Sequence, residues 1–280
     1  MDDKNLDLPI RYFRIAQLYG PGMPPSCEEG PQERTLSKTA SQIGLVLVHC
    51  WNLGEGTGPY PTGPDAHTPG KAGDWVPTAH EIIRDHIKPV LDAARAAGVG
   101  VFHLAQAKYA PRYESFNKLQ KSPAMREPAK PHVNLSVRPR SYDQQHDDEY
   151  GEGFPGCVWQ THSDLFDIAE QVRPIDEEAV ILSGWQLNEL CRQADIDTLF
   201  YAGFMADICL INSSGAIREM SSRFRYNCVV LRECTTAYEY ADTYEGRWMT
   251  LSAIRRIETE LGYSASAGDF IEAARAAAGS

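Results

Sequence analysis

The side chain best placed to do chemistry is Cys209. It follows the apolar run Leu199-Phe200-Tyr201-Ala202 and the tight segment Gly203-Phe204-Met205-Ala206-Asp207. A helical pattern then starts at Cys209 and continues through Ile211, Ala216 and Ile217. Strand, glycine turn and helix in this order put the thiol at the first turn of a helix. Unpaired backbone N–H groups and the positive end of the helix dipole face that position. A thiolate is stabilised there, so the expectation is a lowered pKa, and the same N–H groups suit an oxyanion. The competing reading is a packing cysteine, because Cys is among the most buried residue types. The second candidate is His49, near the end of the apolar run IGLVLVHC at positions 43–50. An imidazole there can move a proton near neutral pH. Its competing reading is a satisfied histidine at a strand end.

The elements that must position these two residues alternate along the chain. Short apolar, β-branched runs predict strands at about 44–49, 99–104, 179–182, 198–202 and 226–231. Between them, apolar residues at helical spacing predict helices at 77–97, 163–172, 187–194, from Cys209 onward, and around 246–261, with an alanine-rich terminal helix at 267–278. Gly98 closes the helix at 77–97. The alternation predicts one doubly wound α/β domain, with a mostly parallel sheet of five or six strands and helices on both faces. In such sheets ligands bind beyond the C-terminal strand ends, where His49 and the turn before Cys209 both fall. Residues 1–42 are rich in proline, glycine and charge and read as an arm with little secondary structure, ahead of a domain at 43–280. The Gly/Pro-rich stretch at 54–76 reads as a lid or binding loop. The stretch at 107–162 reads as an irregular insertion.

Bulk composition narrows the function classes. The 280 residues are 42% hydrophobic and 23% charged, as in an ordinary soluble globule. A net charge of -11, with no basic face evident, argues against a nucleic-acid partner. No apolar run reaches the length of a membrane span, and the acidic N-terminus lacks a signal core. Seven cysteines without a CxxC spacing fit reduced thiols in a cytoplasm better than a disulfide framework. The insertion carries His132, His146 and His162 and the acidic run Asp147-Asp148-Glu149. No ligand pair there has a diagnostic spacing, so neither a metal nor another cofactor is expected.

The segment Gly203-Phe204-Met205-Ala206-Asp207-Ile208-Cys209 resembles the nucleophile motif of the isochorismatase-like cysteine hydrolases. Leu187-Asn188-Glu189-Leu190, Ile196-Asp197-Thr198-Leu199 and Arg232-Glu233-Cys234-Thr235-Thr236-Ala237 follow the pattern around that motif. The resemblance spans roughly residues 43–275, apart from the insertion. It implies a hydrolase of C–N (amide-type) bonds in small molecules, in homo-oligomers, with Cys209 as nucleophile. It also implies a cis Phe204–Met205 bond and an oxyanion held by the N–H groups of Met205 and Cys209. Two positions depart from the family pattern. Where the family has a proton-accepting aspartate at the end of the first strand, this chain has His49. Where it has a lysine, the segment Val180 to Trp185 has none. Three readings follow. His49 and Cys209 form a dyad, since imidazole can deprotonate a thiol without a lysine beside it. Or the fold is kept without hydrolysis, as a small-molecule-binding or assembly protein. Or the insertion histidines and acids form a metal site with an unrelated role.

Overall fold

The computed structural model describes residues 5–14, 30–55, 58–59, 75–128, 163–176 and 178–279. Eight strands form one sheet: β1 (Asn5–Arg14), β2 (Gly30–Thr39), β3 (Ile43–Val48), β4 (Gly100–Leu104), β5 (Ala179–Ile181), β6 (Thr198–Gly203), β7 (Asn227–Leu231) and β8 (Tyr263–Ala265). Their spatial order is β2-β1-β8-β7-β6-β3-β4-β5. From β8 to β5 every pairing is parallel. The five expected strands are present, each within a residue of its expected bounds at either end. The chain winds from β3 outward through β4 to β5, then returns to the other side of β3 for β6, β7 and β8. The winding direction therefore reverses between β3 and β6, and a doubly wound sheet opens its binding crevice at that point.

Helices cover both faces. They are α1 (residues 75–97), α2 (Glu114–Lys121), α3 (Gly184–Gln193), α4 (Cys209–Asn212), α5 (Ile217–Ser222), α6 (residues 248–261) and α7 (Ala267–Ala278). All six residues of β3 are buried, as a strand sandwiched between two helical layers requires. Leu45 and Leu47 face the layer built by Ile87, Val90 and Leu91 of α1 and Phe270 of α7. Val46 and Val48 face the layer built by Leu187 of α3, Met220 of α5 and Ile254 of α6. At the end of α1, Gly98 takes a left-handed conformation (φ 76°), and its N–H closes on the carbonyls of Ala94 and Arg95.

Four expectations are corrected. Within the expected arm, the described residues 5–14 and 30–39 are not loose: β1 and β2 form a ten-pair antiparallel hairpin that extends the sheet. Leu6, Leu8 and Ile10 alternate into the core. Pro9 hides the strand from a sequence reading. The β1–β8 pairing lies at Arg11, so Pro9 falls outside that ladder. Buried Glu258 locks the joint, 2.7 Å from Arg11 Nε and 2.6 Å from the Ser264 hydroxyl. Second, the sheet has eight strands among the described residues, not five or six. Third, 163–172 is not one helix but two 3-10 turns, Ser163–Leu165 and Glu170–Val172. Fourth, the helix expected from Cys209 onward breaks after one turn at Ser213-Ser214-Gly215, where Gly215 has φ 89°. The first part of the 107–162 insertion, up to 128, contains α2. Residues 129–162, with His132, His146 and His162, lie outside the described residues, as does most of the expected loop at 54–76.

Candidate active site

Two close approaches position the turn that carries Cys209. Gly203 ends β6 with φ 117°, and a Cβ there would lie 2.0 Å from the Val48 carbonyl oxygen. Only glycine lets β6 come this close to the end of β3. The Phe204 N–H then donates to the Val48 carbonyl at 2.9 Å. From the other side, the segment after β7 braces the turn. The Thr235 hydroxyl donates to the Gly203 carbonyl at 2.7 Å, and the Ala206 N–H donates to the Thr236 carbonyl at 3.0 Å. The Phe204–Met205 peptide bond is cis, as expected.

Cys209 is half-buried at the switch between β3 and β6. Burial pushes its thiol up; the Ser213 hydroxyl and the Met205 N–H, both facing the sulfur, hold it down, and the Asp207 charge adds to the rise. The net direction is upward, which corrects the expected lowering. Its helix is a single turn, so little dipole builds up against the loss of solvent. Neither the Met205 nor the Cys209 N–H donates to a backbone carbonyl among the described residues.

His49 lies one residue past β3, in the left-handed region (φ 47°), a conformation that is uncommon outside glycine and concentrates at functional sites. Its N–H donates to the Leu104 carbonyl at 3.1 Å, which anchors it between the ends of β3 and β4. The ring stacks on Trp51, with centroids 5.1 Å apart. Burial lowers its pKa to about 4; the Ala105 carbonyl works against the shift and the Lys108 charge with it. His49 Nδ1 is buried with no hydrogen-bond partner. His49 is thus a neutral imidazole at pH 7, with a bare basic nitrogen. No hydrogen bond joins that nitrogen to Cys209. The two residues follow adjacent strands at one crevice edge, and a resting thiolate–imidazolium pair is not what these charges favour.

Two residues near the candidates carried no role in the sequence reading. Lys108, after β4, places its ammonium 3.9 Å over the Phe166 ring. Burial lowers its pKa, and Asp164 opposes that. Asp207, inside the motif itself, keeps one carboxylate oxygen, Oδ1, buried without a hydrogen-bond partner. The wall beyond His49 is held by Asn52, which donates to the Leu165 carbonyl at 3.0 Å and accepts from the Asp167 N–H at 2.8 Å. Among the described residues no cluster of three or more His, Cys, Asp or Glu side chains can hold a metal ion. Among them, too, no helix is long and apolar enough to cross a membrane.

No family model and no curated protein matches the sequence. Solved structures do. A cysteine hydrolase from Pseudomonas syringae pv. phaseolicola superposes with a TM-score of 0.50 at 17% identity, over 86% of this chain and 95% of that one. The chain shares the doubly wound α/β fold of that cysteine hydrolase. Two further matches are an isochorismatase family protein from Desulfovibrio vulgaris (TM-score 0.44, 16% identity, 82% and 97% covered) and the nicotinamidase of Staphylococcus aureus (0.40, 13%, 80% and 98%). In this fold the cysteine turn and His49 both stand at the reversal of winding between β6 and β3.

Proposed function

We propose that the protein is a cysteine hydrolase that cleaves a C–N (amide-type) bond in a small molecule. Cys209 is the nucleophile, and His49 stands in place of the aspartate usual in isochorismatase-like hydrolases. The observation that carries this reading is the surroundings of Cys209. The Met205 N–H and the Ser213 hydroxyl converge on a half-buried sulfur at the switch point of the sheet. The sulfur attacks the carbonyl carbon as the thiol proton passes to a base of the crevice, and the negative charge passes to the carbonyl oxygen; the carbonyl then re-forms as the C–N bond breaks and the nitrogen leaves with that proton. The N–H groups of Met205 and Cys209 receive that oxyanion. His49 Nδ1 supplies the basic lone pair in the crevice, which a neutral imidazole offers at pH 7. It draws a proton from the water that releases the acyl group.

Alkylation tests the reading. Iodoacetamide followed by peptide mass spectrometry should label Cys209 ahead of the buried Cys50, Cys191, Cys228 and Cys234. Cys209→Ser should abolish turnover of every substrate found in a panel of small amides. His49→Ala should lower the rate by about a hundredfold or more. A second reading, a binding or assembly protein on a hydrolase fold, draws on the missing hydrogen bond between His49 and Cys209. A panel without turnover, with Cys209 labelled no faster than the buried cysteines, would decide for it.

A further inference from the structure

Asp207 sits two residues before Cys209 on the same turn, and its charge acts on the thiol. The carboxylate is fastened at one side only: the N–H groups of Asp207 itself and of Tyr238 face it. Oδ1 is buried and accepts no hydrogen bond. A buried carboxylate oxygen without a donor is costly, and such an oxygen calls for a proton or a ligand N–H. The acid that faces Asp207 is Glu239. Its own carboxylate is committed elsewhere, accepting from the Thr250 hydroxyl at 2.7 Å and from the N–H groups of Thr250 at 2.8 Å and Met249 at 3.1 Å. Glu239 thereby caps α6 and fixes the segment that holds Tyr238 against Asp207. On the turn itself the unsatisfied base is therefore Asp207, two residues from the thiol.

We propose that Asp207 takes the Cys209 proton and delivers it to the leaving nitrogen. This rests on the reading of Cys209 as the nucleophile, and it divides the proton transfers between two groups. In the first half, the S–H proton moves to Oδ1 as the S–C bond forms and the carbonyl becomes an oxyanion. The carbonyl then re-forms, the C–N bond breaks, and the nitrogen leaves with the proton from Asp207. In the second half, water attacks the thioester and gives its proton to His49 Nδ1. The C–S bond breaks, and that proton returns to the sulfur. Amide and water become acid and amine, with no other reactant.

The test is the rate of Cys209 alkylation by iodoacetamide between pH 5 and pH 9 in the full chain, read by peptide mass spectrometry. A carboxylate that accepts the proton speeds alkylation below the thiol's own titration. Asp207→Asn should slow the reaction about a hundredfold at pH 6 to 7. Asp207→Glu should restore part of the rate with a shifted acid limb. A carboxylate that only repels the thiolate gives the opposite sign, so an equal or faster rate in Asp207→Asn overturns the proposal. If Asp207→Asn fails to fold, Asp207→Glu decides: an acid limb identical to the wild type's refutes the proposal. A wild-type Cys209 that is never alkylated would instead refute the nucleophile reading itself.

Discussion

The neutrality of His49 has a measurable consequence for stability. Its exposure is 7%, and its pKa falls from 6.5 in an open chain to about 4 in the folded protein. Above pH 6.5 neither state is protonated there, and folding is indifferent to pH at this residue. Below 6.5 the unfolded chain binds a proton that the folded protein refuses, so stability is lost as pH falls, until about pH 4. Two and a half pH units at about 1.4 kcal/mol each amount to about 3 kcal/mol. His49→Gln removes the titration. Glutamine also pays a penalty at the left-handed φ and loses the stack on Trp51, but both costs are independent of pH. The assay is urea unfolding followed by tryptophan fluorescence at pH 7.5, 6.5, 5.5 and 4.5. The variant should start less stable than the wild type and gain on it steadily as the pH falls. The comparison isolates His49 from buried His103, which is lowered in the same direction and present in both proteins. A difference between the two proteins that stays constant across the range would refute the reasoning. It would mean that water reaches the ring, and that the crevice is not the dry site a bare imidazole nitrogen requires.

Two further outcomes follow from buried contacts. Burial pushes the Glu178 carboxyl up, but Arg95, at 2.7 and 2.8 Å, and His103, at 3.0 Å, overcome it and bring it to about 2. Its contribution is complete above pH 4.5 and is lost as pH falls towards 2. Glu178→Gln should cost about 3 kcal/mol at pH 7 and flatten the acid limb of the stability curve; an unchanged limb would contradict the pairing. Gly203→Ala would drive a Cβ into the Val48 carbonyl at a backbone angle that disfavours any side chain. It should cost about 3 kcal/mol or more in urea unfolding, and a variant as stable as the wild type would show that β3 and β6 are not so closely joined.

The parallel half of the sheet was readable in the sequence because its strands are buried on both faces and so are continuously apolar. The hairpin was not readable. Its second strand, GPQERTLSKT, buries only Leu36, and its first carries Pro9. What makes them a strand pair is tertiary: the ladder between them and the buried Glu258, 247 residues away from Arg11. The strand β8 is three residues long, too short for any periodicity. The candidate site shows the same division. The turn and the cysteine stood out as a local pattern. The brace from Thr235 and Thr236, the Glu239 cap on α6 and the placement of Lys108 over Phe166 are contacts between segments far apart in the chain.

The direction of the Cys209 shift shows why local pattern misjudged the chemistry. A helix start implies a dipole, and a dipole favours a thiolate. The helix breaks at Ser213 after four residues, so few peptide units are aligned behind the sulfur. Burial is then the larger effect and acts in the opposite direction. The same burial strips His49 of its proton. Cys209 and His49 are consequently both uncharged at rest, so neither adds a buried charge to the crevice. A resting ion pair would hold a reactive thiolate open to any oxidant that entered. On the proposed reading, a neutral pair reacts when a substrate supplies the carbonyl that receives the charge, and the N–H groups of Met205 and Cys209 receive the oxyanion. On that reading the thiol is guarded while no substrate is bound, and the proton moves only as the S–C bond forms, which makes the acceptor of that proton the residue to identify first.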